Sequence, residues 1–144
     1  MIYYASENVA IPNLHRYKIK GWLRRVALSY QKKVGDLTYI FCDDEKILEV
    51  NRQFLKHDYY TDVITFDYSE GDTISGDIFI SIDTVRSNAE ERNIPFMSEL
   101  HRVIIHGILH LCGINDKGPG EREVMESSEN RALALLPELG INIE

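Results

Sequence analysis

At 144 residues the chain is the size of one domain, long enough to bury roughly 68–70% of the surface its unfolded form exposes. Apolar residues make up 44% and charged residues 27%, an ordinary soluble globular balance, and a chain of this length needs no staple to fold. The net charge of −7 argues against a protein that coats nucleic acid non-specifically, because that mode needs excess Lys and Arg to displace counterions.

The only cysteines are Cys42 and Cys112, and nothing around them suggests a disulfide framework or a Cys-x-x-Cys site. A reducing, cytoplasmic location is the expectation. The first four residues carry no basic region and lead into no long apolar run, so no secretory leader is expected. No apolar run approaches the roughly 20 residues of a membrane span, and no membrane partner is expected.

Residues 1–5 read as a first strand. Residues 13–34 place Ile19, Trp22, Leu23, Val26, Ala27 and Tyr30 at helical spacing, with Gly35-Asp36 ending the helix. Its positive charge clusters between residues 16 and 33 (Arg16, Lys18, Lys20, Arg24, Arg25, Lys32, Lys33), with no acidic residue among them. Such a cluster is either a solvated helix face or a phosphate-facing patch. Residues 37–42 form a second strand, and Asp43-Asp44 caps a short helix reaching about Phe54. A polar and aromatic connection follows, then a β-branched strand over 62–68, a turn over 69–75, and a strand over 76–82. In that last strand Ile78, Ile80 and Ile82 share one face. Asp83 caps a helix to Arg92, broken by Asn93-Ile94-Pro95. A nearly all-apolar helix occupies 96–112, and a final helix runs from about 120 to 136. The order β-α-β-α-β-β-α-α-α predicts one α+β domain over residues 1–144, with a small mixed sheet packed by helices.

The chemistry concentrates in His106-Gly107-Ile108-Leu109-His110-Leu111-Cys112-Gly113-Ile114-Asn115-Asp116. Histidines at i and i+4 on a helix stand about 5–6 Å apart at Cβ and can share one ion. Gly113 can end the helix in a left-handed cap and turn the chain back, which gives Asp116 a route to the same ion. Two histidines and a carboxylate form a catalytic zinc set, because three protein ligands leave the fourth position for water. The expected ligands are therefore His106, His110 and Asp116, holding one Zn²⁺ per chain on a zincin-like central helix. Cys112 lies two residues past His110 and about 200° around the helix, so it reads as core. The peptidase form of this motif carries Glu immediately after the first histidine, and here that position is Gly107.

These residues resemble the YbeY family of metal-dependent endoribonucleases that act in ribosomal RNA maturation. The family signature is His-Gly-x-Leu-His-Leu-x-Gly-Tyr-Asp-His, and His106, Gly107, Leu109, His110, Leu111 and Gly113 match it in place. Its last histidine corresponds to Asp116. Two further blocks match: Asn51, Asp58, Thr61, Asp62, Val63 and Phe66 in one, Gly76-Asp77-Ile78 with Ile80-Ser81 in the other. The family's arginine in the first block falls on Leu55, which cannot grip a phosphate as a guanidinium does. Arg52, Lys56 and His57 are its neighbours and the candidates to replace it, although each also reads as an ordinary solvated residue.

The resemblance implies zinc-dependent cleavage of single-stranded RNA in ribosomal RNA maturation and ribosome quality control. Thr61 and Asp62 would then lie beside the substrate. The implied partners are ribosomal RNA or a ribosomal subunit, with a ribosomal protein or GTPase assembly factor beside them. The residues alone imply metal-assisted hydrolysis. Two other readings share the same ligand spacing: a zinc peptidase drawing its base from elsewhere, and a non-catalytic ribosome-associated protein that keeps a structural metal.

Overall fold

In the computed structural model, which describes residues 1–55 and 61–143, four strands form one sheet in the order β1-β2-β4-β3. They are β1 (Ile2–Glu7), β2 (Lys33–Cys42), β3 (Val63–Asp67) and β4 (Thr73–Ser81). β1, β2 and β4 run parallel, and β3 runs antiparallel to β4 at one edge. Among the described residues, five α-helices accompany the sheet: α1 (Arg16–Ser29), α2 (Asp44–Val50), α3 (Ile82–Arg92), α4 (Phe96–Leu111) and α5 (Glu121–Leu133). This is the expected element order and the expected α+β class. A parallel β1–β2 pair needs a crossover between its strands, and α1 provides it.

Alternation along the strands assigns the two faces. Leu37, Tyr39 and Phe41 of β2 and Ile78 and Ile80 of β4 are fully buried in the main core with α1 and α4. Buried polar tips tie the helices to each other and to the sheet. The Tyr39 hydroxyl donates to the Ile104 carbonyl at 2.8 Å, and the Trp22 indole N–H donates to the Ala132 carbonyl at 2.8 Å. On the other face Cys42, Ile47, Val50 and Ile64 form a smaller cluster under α2.

α4 runs through the middle of the main core. It can lie close to the sheet because residue 107 is glycine: a Cβ there would stand 2.8 Å from Ile78 Cδ1. The position that carries the catalytic glutamate in zinc peptidases is therefore pressed against Ile78 of β4, which any side chain there would have to displace.

Several boundaries differ from the sequence reading: β4 already begins at Thr73, α2 gives way at Val50 to a π-helical turn over Asn51–Leu55, and others shift for local reasons. α1 stops at Ser29 because Gln31 adopts φ 61°, and Lys33 already belongs to β2. Gly35 and Asp36 do not end the helix; they lie at a register shift inside β2 between Val34 and Leu37. α3 is capped by Ser81, whose hydroxyl accepts from Thr84 N–H, so Ile82 opens the helix and is not a third strand isoleucine. The Asp83 carboxylate instead accepts from the Asp44 N–H at the start of α2.

The basic cluster on α1 is largely engaged within the chain. Arg16 and Lys20 sit over the Tyr4 ring, Lys18 donates to the Gly140 carbonyl, and Arg25 pairs with Glu138. These contacts favour the solvated-face reading over the phosphate-facing patch.

One histidine belongs to the core. His101 is 1% exposed, its Nδ1 meets the Met97 carbonyl at 2.7 Å, and its Nε2 has no hydrogen-bond partner among the described residues. Burial holds this imidazole below its usual 6.5. The unfolded chain therefore takes up a proton before the folded one does, and stability is lost as pH falls below that value. We expect wild type to lose stability relative to His101→Leu between about pH 7.5 and about pH 5.5, read from urea midpoints. A difference that does not change with pH would show that His101 does not titrate this way.

Candidate metal centre

α4 ends as the sequence predicts. Gly113 adopts φ 100°, the Gly113 N–H donates to the His110 carbonyl, and the Ile114 N–H donates to the Leu109 carbonyl. This closes the last turn and folds Ile114 back onto the core. The chain then reverses, and Asp116 Oδ2 comes to 3.5 Å from His106 Nε2.

The other ring nitrogen of His106 is held from α5. Its Nδ1 lies 2.8 Å from Glu129 Oε2. The second oxygen, Glu129 Oε1, accepts from Arg102 Nη1 at 2.9 Å, and Arg102 Nη2 donates to Asn130 Oδ1. Both oxygens of one nearly buried carboxylate are thus engaged. Burial alone would raise the Glu129 carboxyl, but the bonds from His106 and Arg102 and their charges outweigh it and hold it low. Burial likewise disfavours the His106 cation, but the Glu129 bond and the charges of Glu129, Asp116 and Asp62 raise it overall.

His106, His110 and Asp116 line one open cleft of about 850 Å³ between β3, α4 and the start of α5. Thr61, Asp62 and Leu55 line it too. Arg52 does not. It continues the outer face of α2 with Glu45, Leu48 and Glu49, whereas Leu55, three residues on, turns towards the cleft. Lys56 and His57 lie outside the described residues. Cys112 packs against the core and does not line the cleft.

The cleft is rich in charge. Arg92 pairs with Glu99 at 3.1 Å, and Arg102 pairs with Glu129. Asp62, Asp116, Glu126, Lys117 and Arg122 line it as well. Burial pushes the Asp62 carboxyl up, and burial followed by Asp62 itself pushes Glu99 up; nearby cations only partly offset this.

Glu129 and Arg102 are functional neighbours that motif reasoning missed. A signal was present: Met125, Ser128, Glu129 and Ala132 are the buried residues of α5, at helical spacing. A carboxylate on that apolar stripe requires a partner.

Among the described residues no three His, Cys, Asp or Glu side chains stand close enough together to form a ready metal cage. The donor chemistry nevertheless fits a divalent ion. With Nδ1–H directed at Glu129, the Nε2 lone pair faces the Asp116 carboxylate, an arrangement that calls for a proton or a cation between them. His110 supplies a second imidazole to the same cleft.

Fold and site together define a class: an α+β domain whose central helix presents a His-x-x-x-His pair to an open, charged cleft. A family model described as Endoribonuclease YbeY matches residues 2–137, and the chain belongs to that family. It is 67% identical over 136 residues to Endoribonuclease YbeY of Phocaeicola vulgatus, covering 94% of this chain and 99% of the relative. It is 66% identical to that of Parabacteroides distasonis, covering 95% and 96%. Among solved structures it resembles the solution structure of TM1509 from Thermotoga maritima, with TM-score 0.68 and 29% identity over 96% of this chain and 93% of that one.

Proposed function

We propose that this chain is a zinc-dependent endoribonuclease that cuts single-stranded RNA in ribosomal RNA maturation and ribosome quality control. One Zn²⁺ per chain is held by His106, His110 and Asp116. The observation that carries the reading is the approach of Asp116 to His106 Nε2 while Glu129 holds Nδ1. A carboxylate on the far ring nitrogen is the usual support of a metal-bound imidazole. The family relationship supports RNA as the substrate.

When bound, the metal supplies Lewis acidity and a water of lowered pKa. The chain's own groups do the rest. Glu129 fixes the His106 tautomer so that Nε2 keeps its lone pair towards the cleft. Asp62, with its raised carboxyl at the cleft wall, sits where it can hold a proton during phosphodiester cleavage. The open cleft suits a catalytic metal better than a closed structural one. The crowding of residue 107 against Ile78 leaves a peptidase without its usual base.

The test pairs RNA with a protein substrate. Zinc-loaded wild type should cut single-stranded RNA and leave casein intact, and His110→Ala should lose the RNA cleavage and bind less zinc. Equal RNA cleavage by both proteins would reject the reading, and casein cleavage lost in the variant would replace it with a peptidase. The ribosomal partners are tested by co-sedimentation with ribosomal subunits, where we expect wild type in the subunit fractions.

A further inference from the structure

We propose that Lys117 and Arg122 are the substrate-phosphate contacts of this cleft; this rests on the RNA reading above. Among the described residues, four Lys and Arg side chains line the cleft: Arg92, Arg102, Lys117 and Arg122. Arg92 is held by Glu99, and Arg102 by Glu129 and Asn130, so both are committed to the chain's own groups. Among the described residues, neither Lys117 nor Arg122 has a hydrogen bond or ion pair, although both are exposed at the cleft.

Their positions point the same way. Lys117 directly follows Asp116, so a phosphate it holds lies beside the metal ligands. Arg122 is the second residue of α5, in a first turn that otherwise carries Glu121 and Glu123. A cation there opposes the helix dipole and costs stability, so folding alone does not account for it. Leu55, which also lines the cleft, can offer a phosphate no charge. Asp62, Asp116 and Glu126 repel a polyanion, and among the described residues Lys117 and Arg122 are the uncommitted cations set against them.

The experiment compares wild type with Lys117→Gln, Arg122→Gln and the double variant, using Arg24→Gln on α1 as a control outside the cleft. The probe is a short fluorescein-labelled single-stranded RNA. Binding is read by anisotropy in EDTA, and KM and kcat on the zinc-loaded proteins. The double variant should bind about tenfold more weakly at physiological salt, with a salt slope shallower by about 1.4, the value for two lost single-strand phosphate contacts. KM should rise with kcat little changed, and Arg24→Gln should match wild type. Unfolding midpoints should stay together, since both side chains are exposed. If wild type cuts RNA and the double variant shows the same affinity, salt slope and KM, this inference is overturned and the RNA reading stands. If wild type neither binds nor cuts RNA, the RNA reading falls and takes this inference with it.

Discussion

Glu129→Leu is expected to destabilise the protein by about 2–3 kcal/mol and to weaken zinc binding by roughly 10–100-fold. The size follows from what the carboxylate holds. Its two oxygens are shared between His106 at 2.8 Å and Arg102 at 2.9 Å, at a side chain only 10% exposed. Removing it leaves the Arg102 guanidinium with only the neutral Asn130 amide and takes the partner from His106 Nδ1. The cost stays below that of a fully buried pair because the Arg102 and His106 side chains retain 24% and 22% exposure and water can reach them. Glu129→Gln separates the two effects. It keeps the shape and one acceptor, so it should recover part of the stability, while the amide cannot bind both partners as the carboxylate does. Urea unfolding gives the first quantity and competition with a chelator the second. Unchanged zinc affinity in both variants would mean that Glu129 does not orient a ligand.

Gly76→Ala should be at least as damaging, for a steric reason. Gly76 is buried in β4 beside Asp67 of β3, and a Cβ there would stand 2.3 Å from the Phe66 carbonyl oxygen. That atom is backbone of the neighbouring strand and cannot rotate away, so β3 must move. We expect a loss of about 3 kcal/mol or more, towards the upper end for overpacked sites. Because the residues on and just before β3 line the cleft, the shift should also lower RNA cleavage. Gly71, whose added Cβ would meet nothing within 4 Å, is not an equivalent control because its φ of 57° strains any side chain. Gly21→Ala is the fitting one: it has open space and a helical backbone, and it should be neutral or slightly stabilising. A Gly76→Ala protein as stable as wild type would show that the sheet tolerates a side chain there.

Much of the candidate centre was legible because its decisive relations are local. The pair His106 and His110 follows from one turn of helix, and the path to Asp116 follows from the left-handed turn at Gly113. The partners of these residues were not legible in that way. Glu129 reaches His106 only because α5 docks on α4, a tertiary contact that spacing within one helix does not encode. Boundaries failed where one cue served two structures. A glycine followed by an aspartate marks a helix end or a strand irregularity equally well, and at Gly35-Asp36 it was the latter. The alternation of isoleucines ran on to Ile82, but buried positions repeat across a strand–helix junction too, and Ser81 had already capped the helix.

The division of the chain at Ser81 bears on how it is made. All four strands are complete by that residue, whereas the proposed ligands, Glu129 and every arginine lining the cleft come later. A chain growing from its N-terminus therefore holds the whole sheet before it holds the helix that covers it. Until α4 emerges, only α1 covers the face that carries Ile78, Ile80 and their β2 neighbours, and the rest of it meets water or a chaperone. A nascent chain of this length lacks all three proposed ligands, so the proposed ion site waits for α4 and the turn that follows it.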